Sequence, residues 1–181
     1  MTHTVREHGL RINLGSGQRK FGTTEYPWVN IDCQPKWEPD ICADALATGL
    51  PDECAEVIVL HHVLEHFDLC RADDLLRECY RLLQPRGSVI ITVPDLRALF
   101  NHWVTGRIDD YTLCVNLYGA YMGDPADLHR WGYCAKSLET KLRTVLRTKN
   151  NWRVVLPFDF RKIPGADIAS AWWILGWEAV K

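Results

Sequence analysis

Hydrophobic positions in the first half of this chain come in short, nearly continuous runs. Residues 10–14, 28–32, 40–45, 55–60 and 88–93 each read as a strand. Val57, Ile58, Val59 and Leu60 follow one another without a polar break. Strands of that kind are covered on both faces, as in parallel sheets. The period changes after Asp68, a natural helix N-cap. Leu75, Leu76, Cys79, Leu82 and Leu83 fall on one helical face, and Asp73 and Arg77 form a favourable pair four residues apart. Gln84-Pro85-Arg86-Gly87 ends the helix. Strand, turn, helix and strand thus alternate, which predicts an α/β sheet.

Residues 96–135 break the rhythm. They hold seven aromatic rings (Phe100, Trp103, Tyr111, Tyr118, Tyr121, Trp131, Tyr133) and no sheet pattern. So long a structureless loop is improbable in a small domain. A short helix over 96–104 followed by a lid fits better, with the rings as an apolar wall that excludes water from an acceptor. Helical spacing returns over 137–147 with Ser137 as its cap, and residues 152–158 and 169–180 read as two strands joined near Pro164-Gly165. One domain over residues 1–181 is expected, with 96–135 as an insertion.

Composition narrows the class without deciding it. The chain has 181 residues, 47% hydrophobic and 24% charged, with a net charge of −2. That is one globular domain and not a general nucleic-acid binder. Residues 38–78 hold 11 acids against Arg71 and Arg77, whereas 136–162 hold eight bases against Glu139 and Asp159. These read as two solvated faces. No apolar run reaches the ~20 residues of a membrane span, and the first residues lack a secretory pattern. A cytoplasmic protein without a membrane, working as a monomer or homodimer, is expected. Its seven cysteines contain no C-x-x-C pair and read as free, mostly buried thiols.

The candidate chemistry sits at strand ends. The first strand runs into Gly15-Ser16-Gly17, whose backbone a ligand can approach closely. Asp32 closes the second strand, where a carboxylate can accept both hydroxyls of a ribose. Only 15 residues separate Gly17 from Asp32, so any helix between them is stunted. Asp44 closes the third strand.

From about Arg11 to Leu146 the chain resembles the class I S-adenosylmethionine-dependent methyltransferases, and within them the compact type-11-like group. The residues that carry the likeness are Asn13-Leu14-Gly15-Ser16-Gly17, Asn30-Ile31-Asp32, Asp44-Ala45 followed by Leu50-Pro51, His62-Val63-Leu64-Glu65-His66-Phe67, Glu78-x-x-Arg81-Leu82-Leu83-Gln84-Pro85-x-Gly87 and Val93-Pro94-Asp95. The resemblance implies a Rossmann-like, doubly wound sheet of seven strands, the last antiparallel. It implies S-adenosyl-L-methionine as cofactor. The Gly15-Ser16-Gly17 turn, with Asn13 beside it, would cradle the methionine part. Asp32, next to Cys33, would hold the ribose. Asp44 would accept from the adenine amino group, with Ala45 and Leu46 along the ring. His61 and His62 would stand near the methyl group. Two positions depart from the family pattern: Asn13 stands where an acid is usual, and Arg86 where a second glycine is usual.

The implied activity is methyl transfer to an oxygen or nitrogen of a small-molecule or glycan-precursor acceptor. His129, flanked by Asp124 and Asp127, is the candidate general base, with His62 the second candidate catalytic group. Two other readings compete. His62-Val-Leu-Glu65-His66 also fits the H-x-x-E-H pattern of a zinc hydrolase, but spacing supplies no third ligand, and no metal is expected. A cofactor-binding protein without turnover is the other.

Overall fold

In a computed structural model, residues 9–146, 151–163 and 173–181 are described. Seven strands make one sheet: β1 (Leu10–Leu14), β2 (Val29–Asp32), β3 (Ile41–Cys42), β4 (Ala55–His61), β5 (Leu83–Pro94), β6 (Val154–Pro157) and β7 (Ile174–Val180). Their spatial order is β3-β2-β1-β4-β5-β7-β6. β1 to β5 pair in parallel, and β7 runs antiparallel to both β5 and β6. This is the mixed sheet expected from the sequence. The expected turn at Pro164-Gly165 and the start of the last strand at residues 169–172 lie outside the described residues.

The continuous apolar runs are explained by cover on both sides. Ile58 and Leu60 of β4, with Val89 and Ile91 of β5, belong to the larger core. That core also takes Leu75, Leu76 and Cys79 from α1 (Leu69–Leu82) and Leu138 and Leu142 from α4 (Ala135–Thr144). The alternate positions Val59 and Ile90 belong to a second cluster with Phe21, Trp28 and Ile163. Successive side chains of a strand point to opposite faces, so each face holds its own apolar row. Each fully buried aliphatic side chain contributes roughly 1.5–3 kcal/mol.

The Asp68 carboxylate caps α1, accepting from the amides of Cys70 and Arg71 at 2.9 Å each. The Asp73–Arg77 pair is present at 4.0 Å, with Asp74 nearer at 2.7 Å. The helix stops at Leu82, one residue earlier than expected. Leu83 already pairs with Ala55, and the sheet register resumes at Ser88 opposite Val57. Residues 84–87 bulge out between these pairings, with Arg86 in the left-handed region at φ 70°.

Other expectations change. The β1–β2 link contains no helix; its turns are fixed by Asn30, whose Oδ1 accepts from the Phe21 amide at 2.8 Å. Cys134, not Ser137, caps α4. Ser137 lies at the third helical position, and its hydroxyl accepts from the Cys134 amide at 3.0 Å. The cap is reciprocal, so a serine inside the helix resembles a cap in sequence. Residue 147, the expected end of this helix, is outside the described residues. Of the seven cysteines, which are free, only Cys79 is buried.

The segment between β5 and α4 leaves the sheet and returns to the same point. Asp95 and Tyr133 form a bridge, and the Leu96 amide donates to the Tyr133 carbonyl at 2.9 Å. Within it lie α2 (Leu96–Val104), α3 (Asp110–Tyr118) and a single 3-10 turn at Pro125–Asp127. Asp95 and Asp109 cap the two helices through their carboxylates.

Candidate active site

A cleft of about 500 Å³ opens at the C-terminal ends of β1, β2 and β4, under the 96–133 segment. Parallel sheets of this kind hold ligands at that edge. From the sheet side it is lined by Gly15, Ser16, Gly17, Asp32, Cys33 and Asp44, together with Ala45, His61 and His62. From the lid side it is lined by Val115, Asn116, Met122 and His129. The sequence thus pointed to most of one wall.

The glycine turn is built for close approach. Gly15 has φ 76°, and a Cβ there would stand 2.6 Å from Val63 Cγ2. Only glycine fits both conditions. The Gly17 amide donates to Asp32 Oδ2 at 2.8 Å, and the Gln34 amide donates to Asp32 Oδ1 at 2.8 Å. Two amides fix the carboxylate at the mouth of the cleft while leaving further lone pairs on each oxygen. Ser16 Oγ is buried and has no partner among the described residues. A buried hydroxyl in that state is suited to a polar ligand.

Two expected cofactor residues do not line the cleft. Asn13 is only 1% exposed. Its Nδ2 donates to the Arg19 carbonyl at 2.8 Å and to Asn30 Oδ1 at 2.9 Å. Both protons are used inside the protein, so Asn13 holds the turn from beneath. Leu46 packs against the larger core instead. The expected aromatic wall is also absent. None of the seven rings of the 96–135 segment lines the cleft; six are exposed, and Tyr133 is buried in the core. The aromatic side chains that reach the cleft are Trp37 and Phe67.

Four histidines converge at the end of β4. His61 Nδ1 lies 2.6 Å from Thr92 Oγ1. Burial, with His62 beside it, lowers its pKa to about 3, so it is neutral at physiological pH. His62 sits in the left-handed region at φ 56°, uncommon for a residue with a side chain. Its Nδ1 lies 2.9 Å from Glu65 Oε1. Strain of this kind persists where the surroundings fix it, often at functional sites. His66 and His129 meet edge to face, their ring centres 4.8 Å apart. His129 Nδ1 lies 3.0 Å from the Asn116 carbonyl, and burial lowers the His129 pKa. Asp124 and Asp127, expected to orient His129, instead cap the 3-10 turn.

Of the lid residues, His129 was expected from the sequence, whereas Val115, Asn116 and Met122 were not. The lid is held over the cleft by the Glu65 carbonyl, which accepts from the amides of Arg130 and Trp131 at 2.8 and 3.1 Å. Gly119, at φ 86°, lets the chain pass against Asp127, whose carbonyl oxygen a Cβ would meet.

Residues 15–91, which hold the glycine turn, Asp32, Asp44 and three of the four clustered histidines (His61, His62 and His66), match the sequence model of a methyltransferase domain. Residues 15–91 thus carry the signature of a methyltransferase domain. Solved methyltransferases share its fold. A S-adenosylmethionine-dependent methyltransferase from Archaeoglobus fulgidus aligns over 97% of this chain and 87% of its own, with TM-score 0.63 and 16% identity. A possible histamine N-methyltransferase from Thermotoga maritima aligns over 97% and 83%, with TM-score 0.59 and 12% identity. The 1,6-didemethyltoxoflavin-N1-methyltransferase of Burkholderia thailandensis, solved with bound 1,6-didemethyltoxoflavin and S-adenosylhomocysteine, aligns over 96% and 71%, with TM-score 0.55 and 15% identity. No curated protein matches this chain by sequence. Among its described residues no helix is long and apolar enough to cross a membrane.

Proposed function

We propose that this methyltransferase moves a methyl group to an oxygen or nitrogen of a small-molecule or glycan-precursor acceptor seated under the 96–133 segment. One observation carries the reading: a single cleft joins the strand tips of β1, β2 and β4 to lid residues that those tips do not need for a cofactor. The Burkholderia neighbour, solved with bound 1,6-didemethyltoxoflavin, supports the small-molecule class.

The residues present fit the cofactor. Gly15, Ser16 and Gly17 would take the methionine part, with the orphaned Ser16 hydroxyl as one contact. Asp32 would accept from ribose, with Cys33 adjacent. Asp44 and Ala45 would flank the adenine. When bound, S-adenosylmethionine supplies an electrophilic sulfonium methyl. The protein's share is alignment of the acceptor and exclusion of water, which give most of the rate. His61, neutral and tied to Thr92, is a fixed wall and not a base. His62 and His129 are the candidates for contact with the acceptor. His129, unprotonated at neutral pH, is able to take a hydroxyl proton.

Calorimetric titration with S-adenosylhomocysteine, followed by a labelled-methyl assay across phenols, amines and sugar hydroxyls, tests the proposal. Cofactor binding with product from one acceptor class supports it. Cofactor binding without product from any class would favour a binding protein without turnover. In a structure with S-adenosylhomocysteine, a His129 ring beyond ~8 Å from sulfur would remove its role as base.

A further inference from the structure

We propose that Glu65, His66 and His129 form a binding site for a divalent first-row transition metal at the acceptor end of the cleft. Ligand atoms from these three side chains all lie within 4.8 Å of one another. Spacing alone offered no third ligand to His62-x-x-Glu65-His66; the return of the lid supplies it. Two imidazoles and one carboxylate suit Zn²⁺, Fe²⁺ or Co²⁺ better than Mg²⁺ or Ca²⁺. Bonds of about 2.0–2.2 Å would draw the three groups closer together.

Three observations point to a ligand beyond mere proximity. Glu65 is 1% exposed, and its Oε2 is buried with no partner among the described residues. His66 Nδ1 is likewise buried and unpartnered. His129 faces a backbone carbonyl through Nδ1. A carbonyl only accepts, so that nitrogen carries the proton, and Nε2 presents a bare lone pair. The other Glu65 oxygen is held by His62, an arrangement that orients a ligating carboxylate.

The charge agrees. Glu65 is buried among three imidazoles, those of His62, His66 and His129. Among the described residues its only ion pair is with His62. A buried carboxylate so placed is stabilised by a cation.

The site opens toward substrate. His66 and His129 line the main cleft. Glu65 and His129 also border a smaller cavity of about 10 Å³ with Tyr133, whose hydroxyl is buried without a partner. A single water bridging Glu65 and Tyr133 is the rival occupant. With three protein ligands, a metal keeps positions for an acceptor oxygen and lowers the pKa of a bound hydroxyl. With Nδ1 protonated and Nε2 on the metal, His129 is then a ligand and not the base, and the hydroxyl proton leaves to solvent. The oxygen–carbon bond forms as the methyl's bond to sulfur breaks, and that electron pair stays on sulfur. This part rests on the proposed function and narrows its acceptor to an oxygen nucleophile.

Metal binding is tested on the full chain without cofactor or acceptor. The chelator-stripped protein is titrated with Co²⁺ and Zn²⁺, followed by calorimetry and by visible absorption of Co²⁺. One ion per chain is expected, with affinity reduced about 10–100-fold or more in His129→Ala and Glu65→Gln. His129→Ala stays informative if Glu65→Gln fails to fold. S-adenosylhomocysteine affinity, measured in parallel, is expected to stay within about threefold in His129→Ala. No ion bound by wild type, as for a water-filled cavity, overturns the proposal. Binding undiminished in His129→Ala overturns it too. Loss of cofactor binding with metal binding intact would overturn the proposed function and leave this site standing.

Discussion

The Gly17 amide and the Asp32 carboxylate meet at 2.8 Å, so the β1 turn and the tip of β2 are one unit. Asp32→Ala removes an internal tie as well as the two charge-assisted bonds assigned to ribose, each about 1.5–3 kcal/mol. S-adenosylhomocysteine affinity is expected to fall at least tenfold by calorimetry. Unchanged affinity would remove Asp32 from the cofactor site.

Gly15→Ala is expected to destabilise the fold twice over. The left-handed backbone costs roughly 1–2 kcal/mol, and contact with Val63 adds about 1–3 kcal/mol. The double variant with Val63→Ala should recover the steric part and not the backbone part. Melting curves of the three proteins separate the two.

The pH dependence of stability follows from His61. Its pKa is near 3 when folded, below the ordinary 6.5 that it regains on unfolding. The unfolded chain therefore binds more protons between those values, and stability falls as pH drops from about 6.5 toward 3. Above about 6.5 this contribution is fully present. His61→Asn keeps a polar group near Thr92 and cannot titrate. Its melting temperature is expected to decline less steeply than wild type between pH 6.5 and 4.

Gly119→Ala tests the path of the lid. A Cβ there meets the Asp127 carbonyl oxygen, which must move, and His129 with it. Methyl transfer is expected to fall tenfold or more while S-adenosylhomocysteine affinity changes little. Equal loss of both would show that the lid supports the cofactor as well.

The sheet was legible because burial on both faces leaves uninterrupted rows such as Val57–Leu60. The Asp68 cap and the break at Leu96 were legible for equally local reasons. What escaped depends on contacts between distant residues. The aromatic residues of 96–133 revealed a separate element and not which side of it faces inward. Asn13 occupies a motif position, yet its orientation depends on Asn30 and Arg19. The meeting of Glu65 and His66 with His129 follows from two amides docking on the Glu65 carbonyl, which no periodicity encodes.

The excursion between Leu96 and Tyr133 begins and ends at one hydrogen bond. With the Arg130 and Trp131 amides on Glu65 as a second tie near its end, lengthening the loop between these ties costs only about 0.6 kcal/mol per doubling. Residues can be added or exchanged inside it without shifting the register of β4 or β5. The same frame could thus acquire a different chamber, and with it a different acceptor, through changes confined to one detachable stretch of chain.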